Sequence, residues 1–334
     1  MSSMRKNSGE IDLLRKIRAR ADRLSGATLR LGIGDDCALL HPRSGEELAV
    51  TTDLSIAGRH FRLDWHPPQS IGHRALARGL SDLAAMGARP IAAFLSLGLP
   101  RELTIRRGRR QAWVDSFLEG LLQLAALHKT PLAGGDLSES PIPIADIVLI
   151  GAVPSGRALL RSTARPGDLL YVTGTLGGAA AALAKLAELQ PRRIAKRVDA
   201  ELSAHLYPQP RIAQGLWLVH HGAASTAIDI SDGLSTDLAH ICEESHVAAE
   251  VDAALLPIHP IATAAQALNG GEDYELLFTA PANARVPGKI AGVPITRIGR
   301  IIPLRRNRPV ITLLTPQGTE PLNPKGWEHF ASGK

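Results

Sequence analysis

Cysteine is almost missing from this sequence: Cys37 and Cys242 are the two in 334 residues, far apart and in no Cys-x-x-Cys pair. A disulfide framework and a thiolate metal site are thereby excluded as organising features. Aromatic residues are scarce at 4%, so a core has to be assembled from Ala, Leu, Ile and Val. No stretch reaches the roughly 18 apolar residues that a membrane span needs. The basic N-terminus is followed by no apolar segment of the signal-peptide kind. These absences predict a reduced, soluble, cytoplasmic protein without a membrane partner.

The net charge is +6, yet the arginines are scattered and come without interleaved aromatics. That pattern suits anionic small molecules and gives no footprint for nucleic acid. The densest basic run, Arg106–Arg107 with Arg109–Arg110, reads as a solvated helix face. With 45% hydrophobic residues, the chain can bury a sizeable core and is long enough for two domains.

What the chain does have is a series of acids where apolar segments meet turns. Gly32–Ile33–Gly34–Asp35–Asp36 comes first, then Thr51–Thr52–Asp53, Asp82, Gly134–Gly135–Asp136, Asp229–Ile230–Ser231–Asp232–Gly233 and Gly270–Gly271–Glu272–Asp273. Each alone is accounted for by turn chemistry or capping. As a set they offer the all-oxygen surroundings that Mg²⁺ and a polyphosphate require, and no Cys/His cluster competes for a softer metal. Asp82 has two readings, a pair with Arg78 one turn earlier or a ligand. Asp232 likewise fits a helix cap or a ligand.

Periodicity predicts helices over 10–24, 70–86, 104–129 and from 178 to about 189. It predicts strands at Leu29–Ile33, Leu48–Thr52, Ala92–Leu99, Ala145–Val153, Leu169–Thr173, Val247–Val251, Glu275–Phe278, 293–302 and 310–314. Asp53 falls at the end of the second of these strands. Pro154–Ser155–Gly156 marks a domain boundary. Gly174–Thr175–Leu176–Gly177–Gly178 between a strand and a helix has the shape that presents amides to phosphate, although no Gly-Lys-Ser/Thr closes it. Tight helix–sheet packing explains the same glycines. Cys37, in an apolar run, reads as packing. The fold class is α+β, a mixture of helix and sheet in both halves without strict βαβ spacing.

The segments GIGDDCAL, TTDLSIAGRHF, SDLAAMGARP, GGDLSESP, DISDGLSTDL and GGEDYELLF, with KGWEHF near the end, occur in the order found in one family. Over nearly its whole length the chain resembles the thiamine-monophosphate kinase family, which shares its fold with aminoimidazole ribonucleotide synthetase. The resemblance implies an N-terminal α/β domain over 1–155 for Mg²⁺ and ATP binding and dimerisation. A C-terminal α/β domain over 156–334 would bind ATP and substrate. The N-terminal halves of two subunits would form a shared barrel in a homodimer.

The implied activity is ATP-dependent phosphorylation of thiamine monophosphate to thiamine diphosphate by direct transfer, assisted by several Mg²⁺ ions and needing no side chain as nucleophile or base. Alternatives are another ATP-dependent enzyme of the superfamily, or a non-enzymatic module for a divalent metal or nucleotide. Matched residue by residue, Asp36, Thr51, Thr52, Asp53, Asp82, Asp136, Asp229 and Asp232 stand at metal positions. Gly135, Asp136, Arg161 and Ser231 stand at ATP positions, and His60, Glu272 and Trp327 lie in the segments that meet the substrate. Three residues depart from the family pattern: Leu137 replaces a usual Thr, Glu139 stands at a usual Arg, and Gly79 replaces a usual Asn.

Overall fold

The computed structural model describes residues 10–21, 28–106, 111–189 and 200–326. The chain divides into two compact units, one of Met1–Gly79 with Pro90–Ala152, the other of Leu80–Arg89 with Val153–Lys334.

The first unit holds α1 (Glu10–Ala21), a small antiparallel ladder of β1 (Leu29–Leu31) and β2 (Leu39–Leu40), and β3 (Glu46–Ile56). Next comes α2 (Pro68–Ala85), whose last residues count with the second unit. Pro68 opens this helix, where its missing N–H leaves nothing unsatisfied. β4 (Arg89–Leu99), α3 (Trp113–Leu127), β5 (Leu132–Glu139) and β6 (Ile144–Pro154) complete the set. The sheet runs β3-β6-β4-β5, with β4 and β5 parallel. Ile91, Ala92, Ala133 and Ala152 bury a cluster on it, against which Phe94 and Ile150 pack.

Two expectations change here. The helix expected from 104 starts at Trp113. Before it the chain makes one 3₁₀ turn at Arg101–Leu103, and Ala112 enters the helix in extended conformation. Asp115 sits buried in the first turn of α3, where the helix dipole favours an anion, and Arg106 reaches back to it at 3.7 Å. The strand expected to end at Asp53 runs on to Ile56, so Asp53 lies inside the ladder.

The second unit contains β7 (Leu169–Thr173), α4 (Gly178–Glu188), α5 (Ala200–Leu206), α6 (Ile212–His221), β8 (Thr226–Asp229), α7 (Leu234–Glu244) and β9 (Val247–Asp252). It continues with α8 (Ala264–Asn269), β10 (Leu276–Ala280), β11 (Lys289–Ile290), β12 (Val293–Pro303), β13 (Ile311–Thr315) and β14 (Gly318–Pro321). The sheet order is β14-β13-β9-β12-β7-β10-β8, with β11 on β12. β13 and β9 pair in parallel, while β12, β7, β10 and β8 pair antiparallel in turn. Among the described residues its buried cluster, which includes Leu170, Val172, Ile228, Leu277 and Ile298 with Leu238 and Ile241 of α7, is aliphatic as the composition predicts, while Phe278 of β10 is also fully buried and stacks on Tyr171 of β7. Among the described residues no helix is long and apolar enough to cross a membrane.

Candidate active site

In the second unit β8 ends at Asp229, which is 3% exposed and accepts a 2.7 Å hydrogen bond from the Ser81 hydroxyl. Asp82 is therefore adjacent in the chain to a residue bonded to Asp229. Past Asp229 the chain leaves the ladder, and its amides need another acceptor. The buried carboxylate of Asp237 supplies it: a single oxygen, Oδ2, accepts from the amides of Ser231 (3.1 Å), Asp232 (3.1 Å) and Gly233 (3.0 Å). The N-cap of α7 is Gly233 rather than Asp232, with no side-chain cap, and the acid that holds the preceding loop is Asp237, a residue not singled out in the sequence. Burial, then the Asp232 charge, push the Asp237 carboxyl up to about 7, against the pull of its amide donors. Asp232, Asp237 and His240 bring ligand atoms within 4.8 Å of one another.

The acidic turn after α8 is fastened to the same loop. The Glu272 amide donates to the Ser231 carbonyl at 2.7 Å and the Tyr274 amide to that of Ile230 at 2.9 Å. Both residues are left-handed, at φ 67° and 51°. Asp273 between them accepts from the amides of Gly177 (2.6 Å) and Ala179 (3.1 Å) at the start of α4. Gly177 itself has φ 84°, and a Cβ there would come within 2.6 Å of the Ala267 nitrogen. So in the glycine turn read as a phosphate cradle, the Gly177 amide is taken by the protein's own carboxylate, and those of Gly174 and Leu176 by the Pro294 and Pro257 carbonyls. Burial first, then the charges of Glu275 and Glu272, lift the Asp273 carboxyl to about 7 against those two amides.

Two residues after Asp273, buried Glu275 receives Arg211, whose Nε donates at 2.6 Å, and the Thr173 hydroxyl. Glu272 faces His205 of α5, with Nδ1 at 3.2 Å from Oε2. Arg161 is exposed in the loop after β6, its carbonyl accepting from the Ser245 hydroxyl at 2.6 Å. The structure thus gathers Asp229, Ser231, Asp232 and Glu272 into one hydrogen-bonded assembly.

In the first unit Asp36, Gly135 and Asp136 line one cavity of about 620 Å³, which Arg15 and Arg18 of α1 also reach. Gly135 has φ 143° and its missing Cβ would lie 1.9 Å from the Leu95 carbonyl oxygen, so no other residue fits β5 there. Cys37, expected to pack, is exposed on this cavity. The apolar run after it forms only the two-residue β2, in which Leu39 is itself exposed.

β3 sorts its three candidates by face. Thr51 and Asp53, two apart, are half-buried, whereas Thr52 is exposed with Leu48, Val50 and Leu54. Arg78, weighed in sequence as a partner for Asp82, lies 3.4 Å from Asp53 and donates to the Leu54 carbonyl at 3.3 Å. His60 turns its Nδ1 back to accept the Ile56 amide at 3.1 Å. Trp327 lies outside the described residues.

Two family profiles cover most of the chain: AIR synthase related protein, N-terminal domain, over residues 34–153, and the corresponding C-terminal domain over 165–311. The thiamine-monophosphate kinase of Escherichia coli (strain K12) is 41% identical over 97% of this chain and 99% of its own length. This chain belongs to the thiamine-monophosphate kinase family. A crystal structure of the thiamine-monophosphate kinase from Stenotrophomonas maltophilia K279a is 39% identical, covers 89% of this chain and 95% of its own, and superposes with a TM-score of 0.77. AaThiL complexed with AMPPCP and TMP is similar over 99% of this chain and 100% of its own, at 29% identity and a TM-score of 0.74. The mixed two-domain architecture described above is the one that kinases of this family share with AIR synthase related proteins.

Proposed function

We propose that this chain transfers the γ-phosphoryl group of ATP to the phosphate of thiamine monophosphate, giving thiamine diphosphate and ADP. The observation that carries this is likeness to thiamine-monophosphate kinases over nearly the full length of both partners. The acceptor is already an anionic phosphate oxygen, so the barrier is the approach of two anions rather than removal of a proton. Divalent magnesium, when bound, screens that repulsion and stabilises the charge in flight.

The donors suit magnesium: Asp36, Asp53, Asp136, Asp229, Asp232, Asp82 and the Thr51 hydroxyl are all hard oxygens. In this reading Asp36, Thr51, Thr52, Asp53, Asp82, Asp136, Asp229 and Asp232 hold the ions. Gly135, Asp136, Arg161 and Ser231 hold ATP. Glu272 meets the substrate's positive charge, while His60 and Trp327 complete its binding. Asp237 and Asp273 act one step back, fixing the backbone that carries Ser231, Asp232 and Glu272.

The residues 1–155 form the Mg²⁺, ATP and dimerisation half, and 156–334 the ATP and substrate half. A homodimer with a barrel shared between N-terminal halves is supported by β3. It lies at the edge of its sheet with Leu48, Val50 and Leu54 exposed together, a surface that asks for cover. Light scattering over micromolar concentrations checks this, and a monomer throughout counts against it.

The deciding assay supplies ATP and Mg²⁺ with thiamine, thiamine monophosphate or an aminoimidazole precursor and reads products by mass. Thiamine diphosphate and ADP formed from the monophosphate alone is the expected result. Efficient phosphorylation of free thiamine, or turnover with the aminoimidazole, overturns the acceptor assignment. Nucleotide binding without turnover identifies a binding module instead.

A further inference from the structure

Glu272 is constrained more tightly than its neighbours require. Its backbone is held at φ 67°, a conformation disfavoured for a residue with a side chain. The turn is pinned by the Glu272 and Tyr274 amides on the Ser231 and Ile230 carbonyls, by Asp273 on the start of α4, and by Glu275 on Arg211. Those contacts fix the main chain but leave the Glu272 side chain three torsions to choose. A histidine makes contact at the end of those torsions. His205, 2% exposed on α5, sets its Nδ1 3.2 Å from Glu272 Oε2, while Glu272 retains 27% exposure. A buried ring bonded to a carboxylate that still reaches solvent is the arrangement of a support behind a binding group.

We propose that His205 is a positioning residue that orients the Glu272 carboxylate toward the organic cation of the substrate. This rests on Glu272 being the substrate-binding acid of the reading above. His205 touches no reacting atom; it acts on the affinity for the thiamine end alone. The nucleotide and the transferred phosphoryl group are bound by other residues, so the rate at saturation is unaffected by this contact.

The test compares His205→Phe, which keeps a ring without a donor, with His205→Asn, which keeps an N–H close to the Nδ1 position in a smaller side chain. Steady-state kinetics are run with each substrate varied. Free thiamine, which lacks the phosphate, serves as a competitive inhibitor to probe the organic end by itself. With a charge-assisted hydrogen bond lost, His205→Phe is expected to raise the KM for thiamine monophosphate and the inhibition constant for thiamine by about tenfold. The KM for ATP and kcat stay within about twofold, and His205→Asn recovers most of the affinity.

The opposite pattern, Phe tolerated and Asn impaired, shows a packing role and overturns the proposal. So does an equal loss toward ATP. Glu272→Gln serves as the control. If it weakens thiamine binding while His205→Phe does not, the positioning role fails and Glu272 stands. If Glu272→Gln leaves thiamine binding intact, the reading of Glu272 fails first and takes this inference with it. Thermal melts of each variant establish that the folded protein is being compared.

Discussion

In the first unit Asp36 and Asp136 stand exposed on a cavity wall, while in the second Asp229 and Asp237 are buried and bonded to the chain's own donors. The two sets of acids have the same chemistry but different surroundings. A solvated carboxylate exchanges water for a cation with little desolvation, so its geometry is completed by what it binds. A buried one that already receives amides and hydroxyls is completed by the fold. Substitutions in the first set should therefore register in activity with the fold intact, and those in the second should register in stability as well.

The sharpest break in that contrast is Arg211→Met. It leaves the buried Glu275 carboxylate without its cation, and uncompensated buried charges destabilise by about 3–5 kcal/mol. A large fall in melting temperature is expected, and a melt within a degree or two of the parent denies this pair a structural role. Asp36→Asn and Asp53→Asn come next. Each should lower kcat/KM at least about 100-fold, roughly 2.7 kcal/mol of transition-state stabilisation, with circular dichroism unchanged. Rates near normal at low Mg²⁺ would remove both residues from the metal set.

Asp237 sharpens the comparison further. Since one oxygen takes all three amides, Asp237→Asn can preserve them, whereas Asp237→Ala leaves three donors unsatisfied and should destabilise by about 1–3 kcal/mol. Denaturant unfolding of the pair decides it, and equal losses would mean that charge, not the amide contacts, matters.

The smallest effect is a pH slope. The Asp273 carboxyl lies near 7 in the fold against an ordinary 3.8, so between those values the native state binds the extra proton. Its contribution is present below about pH 4 and is lost as pH rises through 7, on the order of 1 kcal/mol after relaxation of the site. Across that interval the parent should lose stability relative to Asp273→Asn. A gap independent of pH contradicts the raised value.

Much of this was legible in the chain itself. Long periodic segments such as α2, β4 and β6 announce themselves, because burial on one face or in the middle of a sheet imposes a pattern on residues close in sequence. Several of the acids could be picked out because they sit next to glycine, as Asp136, Asp232 and Glu272 do. What stayed hidden are the partners. Asp273 fills the glycine turn at Gly177 from 96 residues away, and Glu275 finds Arg211 across 64. No local spacing carries such information. The face on which Thr52 stands, and the continuation of β3 beyond Asp53, depended on the ladder rather than on composition. Asp237 alone carried a short-range signal, lying four residues after Gly233 at the head of a helix.

The two thiols, noted first for their rarity, differ in a way that is useful at the bench. Cys242 is buried, with its thiol pushed up to about 12, while Cys37 is exposed on the wall of the cavity that Asp36 and Asp136 share. A maleimide dye offered to the folded protein near neutral pH should therefore attach at one position without any engineering. Its emission would then report on whatever enters that cavity, giving an optical titration of nucleotide or metal that needs no turnover.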